Sequence, residues 1–214
     1  MVWAAVTYAA VNFPFAVLST RGWWTFFKLN VERTMDFDSM WYVACRRIQG
    51  GVSSYCAWSP RLVDAASVVI LLAVVLGLWR WKAVRQPDFP RWTLGFPVIA
   101  VFLLVNKVYS PQYSLWLLPW FALALPDIRL FAAFELADVA VFVTRFSWFG
   151  TLSAQTGVPG FAGYHGVPLW GYQTALVARA GVLVVCVVAW VLRSEEGRSE
   201  EEAVALRPLL AEAG

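Results

Sequence analysis

Charge is scarce in this chain. Of its 214 residues, 14% are Asp, Glu, Lys or Arg, against about a quarter in an ordinary soluble domain. A water-exposed globular surface is excluded over most of its length. Histidine occurs once, as His165, which argues against a histidine-built metal centre. The three cysteines, Cys45, Cys56 and Cys186, lack metal-ligand spacing, so neither a metal site nor a cofactor is expected. A basic leader is also missing. Met1 runs straight into apolar residues interrupted by Asn12 and Pro14, unlike a secretory signal. The glycines of 150–171 have no strand–helix context, which excludes a phosphate loop. The net charge is only +3, with basic residues at segment ends, so no nucleic-acid surface is expected.

Apolar and aromatic residues take the place of charge: the chain is 60% hydrophobic and holds 13 Trp. Several stretches approach the roughly 20 residues that cross a bilayer. The fold class is all-α, a polytopic helical membrane protein. Six spans are expected, at 2–19, 62–81, 92–108, 111–125, 130–149 and 172–192, within a transmembrane domain of residues 1–192. A charged tail, 193–214, should be disordered. Arg80, Lys82, Arg85 and Arg91 surround the loop after the second span, which the positive-inside rule makes cytoplasmic. Alternation then puts both termini in the cytoplasm, and 20–61, the tip near residue 107 and 150–171 outside. The connector's own cations, such as Arg21, Lys28, Arg46 and Arg47, pull against this assignment.

The 20–61 connector mixes rings with cations, as in Trp23, Trp24, Phe26, Phe27 and Lys28. That composition suits the headgroup layer, and one or two interfacial helices are expected there. Asp38 is positioned to cap a short helix that starts near Ser39. Cys45 and Cys56 share this connector and could form a disulfide if it faces an oxidising compartment. Cys186, in an apolar run, reads as a packing residue.

The third and fourth spans make a short hairpin. Each arm reaches about 25 Å at 1.5 Å per residue, less than the roughly 30 Å hydrocarbon core. Pro119 is expected to kink the second arm. Lys107 sits at the tip, followed by Ser110, Pro111, Gln112 and Tyr113. A cation at that depth is costly and commonly functional. Ser110 can cap a helix, Pro111 fits its first position, and a helix N-terminus beside a lysine suits a phosphate. The competing reading is a lysine that snorkels from a hairpin tip. In the last two spans, Asp138 with Arg145 or Arg179 would form an internal ion pair.

Two stretches together resemble a known family. One is Gly22-Trp23, Phe26-Phe27, Asn30, Arg33, Asp36, Ser39 and Trp41-Tyr42, following Asn12-Phe13-Pro14; the other is Lys107-Val108-Tyr109-Ser110-Pro111-Gln112-Tyr113 with Trp116 and Pro119. They resemble glycosyltransferase family 87, multispan enzymes of the GT-C type, over most of residues 10–126. The resemblance implies transfer of a hexose, often mannose, from a polyprenyl-phosphate donor to a cell-envelope glycan or glycolipid on the extracytoplasmic side of the cell membrane. It implies that Lys107, Ser110, Gln112 and Tyr113 bind the donor's phosphate and sugar. It also implies an acidic general base in an early outside loop that this chain lacks. Asp36 and Asp38 are the nearest substitutes. On this expectation the chain is a C-terminal portion, and an N-terminal half encoded separately is a candidate partner. A lipid or small-molecule transporter and a non-catalytic membrane partner are the alternatives.

Overall fold

Helices form where the apolar runs demand that every backbone group be bonded within its own segment. The computed structural model describes residues 2–49 and 56–193, which contain eight α-helices and no strand. The tail expected at 193–214 lies, beyond Arg193, outside the described residues.

Helix α1 (Val2–Leu18) and α2 (Thr20–Glu32) meet at Ser19 with a 115° bend. The indole of Trp23 donates to the Asn12 side chain at 3.2 Å across that elbow. Helix α3 (Met40–Gln49) is the second helix of the connector. It does not merely float on the surface: Tyr42, Val43 and Cys45 are buried against the bundle. Its cap is Ser39, whose hydroxyl accepts from the Tyr42 N–H at 3.1 Å. The expected cap, Asp38, points inward instead.

Helix α4 (Pro60–Arg85) starts on a proline that has no N–H to lose and runs 26 residues, about 39 Å. A 3-10 turn over Arg91–Leu94 leads into α5 (Gly95–Val105). The final pair is α7 (Ile128–Gln155) and α8 (Leu169–Leu192), the most extensively packed helices in the fold. Asp127 caps α7, accepting from the N–H groups of Arg129 and Leu130.

By length and composition, α4 and α8 can each cross a membrane, and the bent α1–α2 pair would be a third crossing. Six crossings are not shown. Helix α7 is long enough, but Arg129, Glu135, Asp138 and Arg145 dilute its apolar character. The expected span 111–125 departs most. It is a 3-10 helix, Pro111–Leu117, followed by the six-residue α6 (Leu118–Leu123). A 3-10 helix rises about 2.0 Å per residue against 1.5 Å, so it lengthens an arm that is otherwise short. Pro119 lies in the first turn of α6. It therefore opens a helix and does not kink one.

The main core joins Phe96, Ala100 and Leu103 of α5 to Leu117, Phe121, Phe134, Leu183, Cys186 and Trp190. Cys186 is a fully buried packing residue. At the far end of α4, Lys82 is 1% exposed and donates to the carbonyls of Trp190 and Arg193, each at 3.0 Å. A cation on the last carbonyls of α8 also meets the negative end of that helix.

Gly95 lies against the edge of the Trp120 ring, and a Cβ there would collide with it. Gly95→Ala should cost about 1–3 kcal/mol through overpacking. Adding Trp120→Leu should restore most of that loss. Thermal unfolding of the purified variants in detergent checks both, and an unperturbed single variant would contradict the close approach.

Candidate functional site

The hairpin tip is covered. Lys107 is 4% exposed, because residues 31–41 fold over it. Its carbonyl accepts from the Asp36 N–H at 2.8 Å, and the Trp41 indole donates to the Val105 carbonyl at 2.6 Å. Its ammonium donates to Asp64 Oδ2 at 2.8 Å and to the Val31 carbonyl at 3.2 Å. A lysine this far from water needs such an acceptor set. The Asp64 side chain is 38% exposed, so the pair meets the outside through its carboxylate. The tip is thus roofed by the connector and does not snorkel to bulk water.

The other expected phosphate ligands do not converge on Lys107. Ser110 has the extended backbone of a cap residue, φ −75° and ψ 142°, and Pro111 takes the first position. The Ser110 hydroxyl, however, donates to Gln112 Oε1 at 2.7 Å and leaves the backbone N–H groups uncapped. Tyr113 stacks on Trp116 at 4.5 Å. The segment they begin is a seven-residue 3-10 helix, a weaker dipole than the α-helix the spacing suggests.

The two candidate carboxylates diverge. Asp36 is near the surface. Its side chain is 12% exposed, lies 3.5 Å from Arg33 and accepts from the Phe37 N–H at 2.9 Å. With Arg33, Phe37, Tyr42 and Cys56 it lines a cavity of about 200 Å³. Asp38 is 1% exposed and belongs to the interior. It pairs with Arg145 at 3.1 Å, accepts from the Tyr172 hydroxyl, and its carbonyl accepts from Arg179 at 3.4 Å. Burial holds its carboxyl above the usual carboxylate range, against the opposing pull of Tyr172 and Arg145. These partners hold it in the interior.

Asp38 is one corner of a buried charge set. Arg179 pairs with Asp138 at 2.9 Å, as one of the two expected pairings has it, while Arg145 goes to Asp38. Asp138 Oδ1 also accepts from Ser114 at 2.8 Å, and Ser114 lies 3.1 Å from the Tyr109 hydroxyl. Arg179 lies 3.8 Å over the Tyr109 ring, a cation–π contact of a kind that strengthens out of water. Burial pushes the Tyr109 phenol upward, which keeps it neutral.

Asp64 is the residue that sequence reasoning left without a role. Its signal is that of Lys107: a carboxylate one turn into an apolar run needs a partner as much as an embedded lysine does. The Cys45–Cys56 disulfide forms, with Cα atoms 6.0 Å apart, and ties α3 to the approach of α4. His165 is exposed in the loop after α7. Among the described residues no group of His, Cys, Asp and Glu side chains could hold a metal ion.

Arg145→Met should destabilise by about 3–5 kcal/mol at neutral pH, because it strands the Asp38 carboxylate out of water. A raised acid in the folded state favours folding at low pH, and that contribution is lost as pH rises through its folded pKa. The defect should therefore shrink on acidification towards the ordinary aspartate value of 3.8. Adding Asp38→Asn should remove that pH dependence. Thermal melts across this pH range check the sign; a defect that grows on acidification would refute it. Comparison of the chain with protein-family models, with curated proteins and with solved structures finds no match.

Proposed function

We propose that this chain carries the donor-phosphate site of an integral membrane glycosyltransferase that moves a hexose from a polyprenyl-phosphate donor to a glycan or glycolipid acceptor. The observation that supports this reading is the Lys107–Asp64 pair, a nearly enclosed cation whose counter-ion alone is open to the outside. A donor phosphate can replace Asp64 at the ammonium without exposing the lysine to water. In the transfer, the bond between the anomeric carbon and the phosphate oxygen breaks, and the acceptor hydroxyl oxygen bonds to that carbon. The acceptor's proton passes to a carboxylate. Polyprenyl phosphate leaves with the bonding electrons, and Lys107 neutralises the charge that develops on it. Of the two candidate carboxylates, Asp36 and Asp38, Asp36 is the one with a cavity beside it. Gln112 is exposed and within two residues of Ser110, where both can bond sugar hydroxyls; Tyr113 supplies a ring face.

The topology we propose has six crossings: α1, α4, α5, the 111–123 arm, α7 and α8. The connector lies outside and both termini lie inside. The Cys45–Cys56 disulfide supports an oxidising environment for the connector. The 115° bend supports α2 lying along the surface if α1 crosses.

Lys107→Ala should weaken binding of a labelled polyprenyl-phosphate hexose by about 30-fold or more, the effect of losing a buried charge partner worth about 2 kcal/mol or more. Asp64→Asn should keep donor binding. Equilibrium binding to the full chain in detergent measures both. Unchanged binding in Lys107→Ala sinks the assignment. Release of free polyprenyl phosphate on addition of acceptor to native membranes separates transfer from lipid transport, which leaves the donor intact.

A further inference from the structure

A second cavity, between α2 and the start of α4, has a chemistry of its own. It holds about 380 Å³ and is lined by Trp24, Phe27, Lys28, Val31, Glu32 and Arg61. Trp24, Phe27, Lys28 and Val31 fall at i, i+3, i+4 and i+7 and so share one face of α2. Arg61 is the second residue of α4. Lys28 and Arg61 are both exposed, and neither forms an ion pair among the described residues. Glu32 stands on the same rim and forms no ion pair among the described residues, so the lining side chains carry one net positive charge. The first turn of α4 receives no side-chain cap from Ser59, and its free N–H groups add partial positive charge beside Arg61.

The floor is apolar while the rim is cationic. Trp24 is 61% exposed and Val31 is 43% exposed, a large apolar area to leave next to two unpaired cations. A free anion would gain nothing from that floor, and a neutral lipid nothing from the cations. The setting adds to this. A long apolar helix, α4, begins here, and α2 turns through 115° from the apolar α1. With α1 and α4 crossing as proposed, these put the cavity at headgroup depth, where aromatic rings and basic side chains gather.

We infer that this cavity binds an anionic phospholipid, with the phosphate between Lys28 and Arg61 and an acyl chain along Trp24, Phe27 and Val31. The inference does not depend on the transferase reading, since none of these side chains contacts Lys107. It does bear on the same region, because the Val31 carbonyl accepts from the Lys107 ammonium. A bound lipid would hold α2 against α4 at that carbonyl.

The test uses the full chain in neutral phosphatidylcholine nanodiscs that contain a few per cent of lipid brominated on its acyl chains. The Trp24 signal is the difference between the wild type and Trp24→Phe. Brominated phosphatidylglycerol should quench Trp24 well below the concentration at which brominated phosphatidylcholine does. Lys28→Gln with Arg61→Gln should reduce that preference by about fivefold per cation removed. Raising the salt should weaken it in the wild type, because both cations are exposed. This last measurement decides the matter even if the double variant does not fold. Equal quenching by the two lipids, or a wild-type preference indifferent to salt, would overturn the inference.

Discussion

Two carboxylates and two guanidiniums mostly withdrawn from solvent together are what the seating of the connector depends on. Asp38 faces Arg145 and Asp138 faces Arg179, and the four sum to no net charge. Each is costly to bury alone, while as a neutral set with Tyr172, Ser114 and Tyr109 around it they become tolerable. The set also fixes geometry. Asp38 comes from the connector, Asp138 and Arg145 from α7, and Arg179 from α8, so the connector can seat in only one position. The roof over Lys107 follows from that seating, because Asp36 and Trp41 flank Asp38 and reach the hairpin backbone.

The same logic of compensation governs the hairpin. The 3-10 turn makes the 111–123 arm longer than an α-helix of the same residues would be, and its tip lies beneath the connector. A lysine at such a tip cannot reach bulk water, so it takes a carboxylate and a carbonyl. The open edge of that arrangement is Asp64, the only member of the pair that solvent touches appreciably.

Local chemistry made much of the fold legible. Apolar runs marked α1, α4, α5 and α8, and the connector in which helices were expected does hold α2 and α3. What could not be read was direction. Asp36 and Asp38 are two residues apart with the same chemistry, yet one faces a cavity and the other the interior. Spacing alone cannot distinguish them, because the choice is made by Arg145 and Tyr172, more than a hundred residues away. Ser110 had every local mark of a cap, and a neighbouring glutamine took its hydroxyl. Lys107 was rightly seen as a costly cation, but its partner lay in a helix that sequence distance hid. The number of crossings is legible only in part: two helices, or three with the bent pair, are long and apolar enough to cross, while the other expected spans are shorter, broken or diluted by charge.

The lysine at the end of α4 has a consequence for how the chain is made. Lys82 closes on carbonyls that lie more than a hundred residues later in the chain. While a ribosome is still producing α5 to α7, those carbonyls do not yet exist. During that interval the Lys82 ammonium lacks these two acceptors, and α4 packs against earlier elements such as α2. The arrival of α8 draws that side chain inward and closes the bundle. Among the described helices α8 is made last, and it brings the two carbonyls on which Lys82 closes, so an arrest of synthesis before residue 190 would withhold both acceptors from that ammonium.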